Sequence, residues 1–173
     1  IKNKGNYKEV ISNIEVHKNN WQISHLDLIK QCYSKSTHFD EMYSFLSECY
    51  SDLDTDKLSV INKTIIIKIC KLFNFNTLFM DSKDINKSKK DITASERLLE
   101  ICISRKANIY TSGSAAKNYL DEKLFNKNGI KVDWFDYGNS KVYKQPFNDF
   151  YENLSIVDCL MNCGKDKEKF LNY

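Results

Sequence analysis

The sequence has one proline and five glycines among 173 residues. So few breakers leave no composition for a flexible interdomain linker or a collagen-like repeat. Its six cysteines, Cys32, Cys49, Cys70, Cys102, Cys159 and Cys163, contain no Cys-x-x-Cys pair, so zinc lacks its usual ligand spacing. No phosphate-binding loop, dinucleotide fingerprint or nucleophile elbow occurs. The longest apolar stretch, residues 60–73, is broken by Asn62, Lys63, Lys68 and Lys71 and is too short and too charged to cross a bilayer. No signal-peptide pattern opens the chain. With cysteines set in apolar surroundings, this leads us to expect buried free thiols in a reducing cytoplasm.

What is present suits one globular domain over residues 1–173. Hydrophobic residues make up 42% and charged residues 28%, enough to bury a core. The net charge of +3 arises from 26 basic and 23 acidic residues, mixed along the chain. The densest basic run, residues 87–90, is followed by Asp91 and reads as a solvated loop, so no nucleic-acid partner is expected. The chain opens on Ile1 rather than Met, and a preceding segment is expected to be missing.

Hydrophobic spacing divides the chain into a mainly helical part, 10–73, and an alternating strand and helix part, 74–164. Residues 10–16 alternate as a short strand. Asn20 then caps a helix carrying Trp21, His25, Leu28, Ile29 and Cys32 on one face. A second helix covers 39–50, and a third follows the Asp54-Thr55-Asp56 cluster with Leu58, Ile61, Ile65, Ile69 and Leu72 inward. In the second part, 77–80 reads as a buried strand and Thr93-Ala94-Ser95-Glu96 as a capping box that opens a helix. A strand at 108–111, a Ser112-Gly113 turn and a helix over 114–126 come next. Asn128-Gly129 ends that helix, a strand covers 130–137, and a last helix covers 155–162. This order predicts an α/β fold, three-layer-like, with parallel βαβ units and an added helical subdomain.

Three places could carry chemistry. Ser112, Gly113, Ser114 and Lys117 lie where a strand tip hands over to a helix, a position whose free amides and partial positive charge suit a phosphate or carboxylate. A plain cap and turn explain the same residues. Trp21 and His25, one helical turn apart, could form a pocket wall with His25 as a proton-transferring group, or could simply be core contacts. Arg97, in the first turn of its helix, needs an acidic partner or an anionic ligand. No metal site is expected, and His17 and His38 fall in turns.

Three stretches together resemble the WbqC-like family of bacterial proteins. They are Asn20-Trp21-Gln22 with His25-Leu26, Tyr33 and Phe39-Asp40-Glu41; then Glu96-Arg97-Leu98 with Ile101-Cys102, running through Ile109-Tyr110-Thr111-Ser112-Gly113 to Tyr119-Leu120-Asp121, Phe125 and Gly129-Ile130; then Trp134-Phe135-Asp136-Tyr137, Tyr143, Gln145, Asn153 to Asp158, and Asn162-Cys163-Gly164. The resemblance implies a role in O-antigen, lipopolysaccharide or other surface-polysaccharide biosynthesis, with acyl or aminoacyl (glycyl-type) transfer onto a sugar as the expected reaction. It also implies an N-terminal His-Gln-Pro segment that this sequence lacks, and with it the first strands of the sheet. In this reading Trp21, His25, Arg97, Ser112, Gly113, Lys117 and Tyr119 bind a small-molecule or sugar-linked substrate, and His25 is the candidate base. No cofactor is evident beyond a nucleotide or sugar nucleotide. The alternatives are a nucleotidylyltransferase-like enzyme and a non-catalytic binding protein of a glycan-assembly complex.

Overall fold

A computed structural model describes residues 8–17, 19–85, 92–136, 141–146 and 149–171. The basic run at 87–90 and Tyr137 lie outside the described residues. In chain order the α-helices and strands are α1 (Trp21–Tyr33), α2 (Phe39–Ser51), α3 (Leu58–Leu72), α4 (Ser82–Ile85), α5 (Ala94–Ser104), β1 (Ile109–Gly113), α6 (Glu122–Lys127), β2 (Lys131–Phe135) and α7 (Ile156–Cys163). The chain divides into two compact units: residues 1–77 with 140–173, and residues 78–139.

The first unit is helical. Met42 and Leu46 on α2, Phe73 just after α3, Leu160, Met161 and Cys163 on α7, and Phe170 form its buried core. The face of α7 shows why it sits there: Leu160 and Met161 are fully buried, and Val157 packs against the same cluster. Ser155 starts this helix by accepting a hydrogen bond from the Val157 N–H, and Gly164 ends it at φ +65°.

The second unit is a small α/β unit. β1 and β2 run parallel, in register from Ile109 opposite Lys131 to Gly113 opposite Phe135. Leu99 and Cys102 of α5, Leu120, Phe125 of α6, Ile130 and Val132 form its core. The expected capping box is present: Thr93 accepts from the Glu96 N–H, and the Glu96 carboxylate accepts from the Thr93 N–H at 2.7 Å. Gly129 takes φ +73° after α6, as Asn128-Gly129 predicts.

Several expectations are corrected. Residues 10–16 form no strand. A 3-10 turn, Ile11–Asn13, is followed by a single antiparallel bridge between Glu15 and Lys57. Val10 and Ile11 are exposed, so the alternation there has no apolar face to bury. Residues 77–80 are irregular, and Leu78 is 75% exposed. Among the described residues only β1 and β2 pair as a sheet, so this apolar run has no ladder to join. The helix expected at 114–126 is broken in two. A 3-10 turn, Ser114–Asn118, leads to Asp121, whose carboxylate accepts from the Leu124 N–H and starts α6 afresh. Ser112 and Gly113 belong to β1 rather than to a turn. Neither helix start expected in the first unit uses the predicted side-chain cap: Asn20 is left-handed at φ 51° without a cap bond, and Lys57 precedes α3. Cys49, Cys102 and Cys163 are buried, as expected of free thiols, but Cys70 and Cys159 are half-buried and Cys32 is exposed on α1. Among the described residues, no helix is long and apolar enough to cross a membrane.

Candidate functional site

The N-terminal turn of α1, the end of α2 and the start of α3 enclose a cleft of about 420 Å3. Trp21 and His25 stand one turn apart on α1, with ring centroids 5.2 Å apart and planes at 74°. Tyr50, near the end of α2, completes the cluster at 5.5 Å from Trp21 and 6.2 Å from His25. Leu58, Ile61 and Ile65 of α3 form the apolar floor, while His17, Asn19 and Asn62 add polar groups. The segment before α1 is pinned to the start of α3 by two backbone bonds, Val16 N–H to Asp56 O at 2.9 Å and Leu58 N–H to Ile14 O at 3.0 Å. A Lys57–Glu15 ion pair at 2.9 Å reinforces them.

Aromatic walls with a few polar groups at the edge are what ligand clefts commonly offer. Edge-to-face ring packing also holds Trp21 and Tyr50 in place before any ligand arrives. Burial pushes the Tyr50 hydroxyl above its ordinary value, so it stays protonated and can donate a hydrogen bond. His17 was expected to lie in a turn without a role, yet it lines this cleft beside His25. No periodicity in the sequence could have placed it, because it precedes α1 and reaches the cleft only through the bridge to α3.

The other candidate residues belong to the second unit. Ser112 and Gly113 are the last two residues of β1, opposite Trp134 and Phe135 of β2. The Lys117 ammonium lies over the Trp134 ring, 5.5 Å from its centroid, a cation–π contact. Tyr119 is exposed. Because Ser114–Asn118 is a five-residue 3-10 turn, it offers far less macrodipole than the α-helix expected there. Arg97 is exposed on α5 and has no acidic partner among the described residues. Its neighbour Glu96 is engaged by the Thr93 cap, whose hydrogen bonds hold that carboxyl below its usual range.

A second polar constellation lies in the helical unit. Asp158 of α7 is fully buried. Its carboxylate accepts from the Tyr143 O–H at 2.6 Å, from Gln145 Nε2 at 2.9 Å and from Asn162 Nδ2 at 3.2 Å. Gln145 is clamped in turn, donating to Tyr151 O at 3.0 Å and accepting from the Tyr151 N–H at 2.8 Å. The Cys159 thiol donates to the Tyr143 oxygen at 3.3 Å. Burial first, then the nearby Asp158 charge, push the Tyr33 hydroxyl up to about 12, and burial together with its bond to Asp158 pushes Tyr143 up further. Both phenols therefore stay protonated, and Tyr143 remains a donor to the carboxylate. Hydrophobic spacing does not mark this network. Its signal was Asp158 and Asn162, four residues apart, in an otherwise apolar helix.

The model of the WbqC-like protein family matches residues 1–170. This chain belongs to the WbqC-like family. It is also 30% identical over 170 residues to the uncharacterized protein Rv1507c of Mycobacterium tuberculosis, covering 98% of this chain and 72% of that protein. No solved structure matches it. Of the residues on which the WbqC-like resemblance rests, Trp21 and His25 meet in the aromatic cleft. Tyr143, Gln145, Asp158 and Asn162 meet in the buried network. Both sets of this WbqC-like chain lie within the helical unit, the first on one helical turn and the second joined across a loop.

Proposed function

We propose that this WbqC-like chain is a transferase of bacterial surface-polysaccharide assembly, acting in the cytoplasm, and that the aromatic cleft holds the acceptor sugar. The supporting observation is the Trp21–His25–Tyr50 cluster around a cleft of about 420 Å3 with polar groups at its edge. Flat indole and phenol rings match the C–H faces of a sugar ring, while Asn19, Asn62 and the imidazoles of His17 and His25 match its hydroxyls. A cleft of this size takes a monosaccharide with part of its carrier.

In this reading the acceptor oxygen or nitrogen adds to the carbonyl carbon of an acyl or aminoacyl donor. His25 takes the proton, and the donor's leaving group departs with its bonding electron pair. Separately, Ser112 and Gly113, at the carboxyl end of β1, would bind a phosphate group together with Lys117, Arg97 and Tyr119. That part of the proposal concerns the other unit and stands or falls separately.

Calorimetry with nucleotide-linked sugars tests it. Trp21→Ala is expected to weaken binding about tenfold or more, as loss of a central aromatic anchor does. His25→Ala is expected to keep binding and lose transfer. Unchanged affinity in Trp21→Ala together with unchanged transfer in His25→Ala would exclude the cleft, and unchanged affinity in Ser112→Ala and Arg97→Ala would exclude the phosphate contacts. Magnesium-dependent release of pyrophosphate would assign nucleotidyl transfer instead. Binding without turnover of any acyl donor, with co-purification of a glycosyltransferase, would assign a scaffold.

A further inference from the structure

We infer that the turn between α1 and α2 forms a second binding site, separate from the aromatic cleft, for a small oxyanion of the phosphate type. A polar cleft of about 90 Å3 opens there, lined by Lys35, Ser36, Thr37, Lys144, Gln145 and Asn162. At about 30 Å3 per water, it has room for about three waters or one tetrahedral oxyanion.

Ser36 carries the argument. The residue is 9% exposed, and its hydroxyl is the buried side-chain polar atom left without a partner among the described residues. Its backbone is held firmly: the Ser36 N–H donates to Tyr33 O at 2.8 Å, and Ser36 O accepts from the Phe39 N–H at 3.2 Å. Ser36 thus lines the cleft on a held backbone, with a hydroxyl whose donor is unused among the described residues. Buried donors almost always find a partner, so an orphan at a cleft wall points to one supplied from outside.

The charges around it favour an anion. Neither Lys35 nor Lys144 forms an ion pair among the described residues, although both line the cleft. α2 is 13 residues long and starts three residues after Ser36, so its partial positive end faces the same turn. The opposing charges are Asp40 and Glu41 in the first turn of α2, and Asp158. Glu41 is paired with Lys165 at 2.6 Å, and the Asp158 carboxylate accepts from Gln145 and Asn162. Asn162 spends its Nδ2 on Asp158, and its Oδ1 has no partner among the described residues. That free acceptor, in a cleft also lined by Lys35, Lys144 and Ser36, suits a singly protonated phosphate, which offers one O–H as well as anionic oxygens. Sulfate and acetate have no such proton near neutral pH.

Titrating the full chain with inorganic phosphate at constant ionic strength, followed by calorimetry and by thermal shift, tests the assignment. Saturable binding is expected, weakened about tenfold in Lys35→Ala and in Lys144→Ala, the scale of one charge-assisted contact. Ser36→Ala is expected to weaken it severalfold while leaving the phosphate-free protein at least as stable, because an orphaned donor is removed. Both lysines are exposed, so their variants test binding rather than folding. Equal phosphate affinity in all three variants, a linear unsaturable response, or equally tight binding of sulfate or acetate would overturn the proposal.

Discussion

The two units build their cores in opposite ways. The small unit gathers Leu99, Cys102, Leu120, Phe125, Ile130 and Val132 from one short stretch of chain. The helical unit gathers Met42, Leu46, Phe73, Leu160, Met161, Cys163 and Phe170, from both ends of the sequence. Polarity differs in the same direction. The helical unit buries Asp158 and its donors, whereas the buried polar side chain of the small unit is Ser95, which accepts from the Asp121 N–H at 2.9 Å and donates to Tyr119 O at 3.3 Å. A unit that closes over long sequence separations has carried a charged hydrogen-bond network into its interior, and the local unit shows none among the described residues.

Core truncation should expose this contrast most strongly. Phe125 and Leu160 are both fully buried, and Phe125 also stacks on Tyr110 with centroids 5.1 Å apart. Phe125→Ala should cost about 3–5 kcal/mol, and Leu160→Ala about 2–5 kcal/mol, in urea unfolding. A smaller loss for Phe125→Ala than for Leu160→Ala would mean that the small core is the slacker of the two.

How legible each unit was in the sequence follows from the same contrast. Thr93 with Glu96, Asn128-Gly129 and the parallel pairing of the strands around them are local signals, and the structure has all three. The helices at α1, α2 and α3 were legible from apolar spacing alone. The failures came where pairing decides. Residues 10–16 and 77–80 have strand-like composition, but a strand exists only through a neighbour, and the described residues offer none. At the candidate site, Trp21 and His25 were legible because one helix turn joins them. Tyr50 and His17 were not, because α2 and the bridge to α3 bring them in. The Asp158 network depends on residues from 143 to 162 meeting across a loop, which periodicity cannot show.

That network gives the next largest effect. Tyr143→Phe removes one of three donors to a fully buried carboxylate and should cost about 1–3 kcal/mol. A loss of that size without any change in the alkaline limb of stability would show that only packing, not the hydrogen bond, had been removed. The pH dependence has a definite sign. Tyr33 is raised from 10.0 to about 12 in the folded chain. Its contribution is therefore fully present below pH 10 and is lost as pH rises toward 12, because the unfolded chain releases that proton first. Tyr50, Tyr143, Cys49, Cys159 and Cys163 of the helical unit are raised as well, Cys163 to about 11, mainly by burial, as is Cys102 in the small unit. Unfolding midpoints should thus fall above pH 9, and Tyr33→Phe should flatten the fall between 10 and 12. An unchanged slope in that variant would remove Tyr33 from the linkage.

The smallest contrast uses one glycine from each unit. Gly129 and Gly164 both hold positive φ, +73° and +65°, so alanine strains the backbone at either. Their surroundings differ. A Cβ at Gly129 meets nothing within 4 Å, whereas one at Gly164 would come within 2.7 Å of His38 Nδ1. Gly129→Ala should therefore show only the conformational penalty, about 1 kcal/mol. Gly164→Ala should show that penalty plus the displacement of the imidazole of His38, a residue whose backbone N–H donates to Met161 O at 3.0 Å. Adding His38→Ala should recover the excess at Gly164 and leave Gly129→Ala unchanged, as expected for a contacting pair and a distant one. Equal losses at the two glycines, or no recovery in the double variant, would show that the turn before α2 yields easily. The packing of α7 against that turn would then contribute little to the helical core.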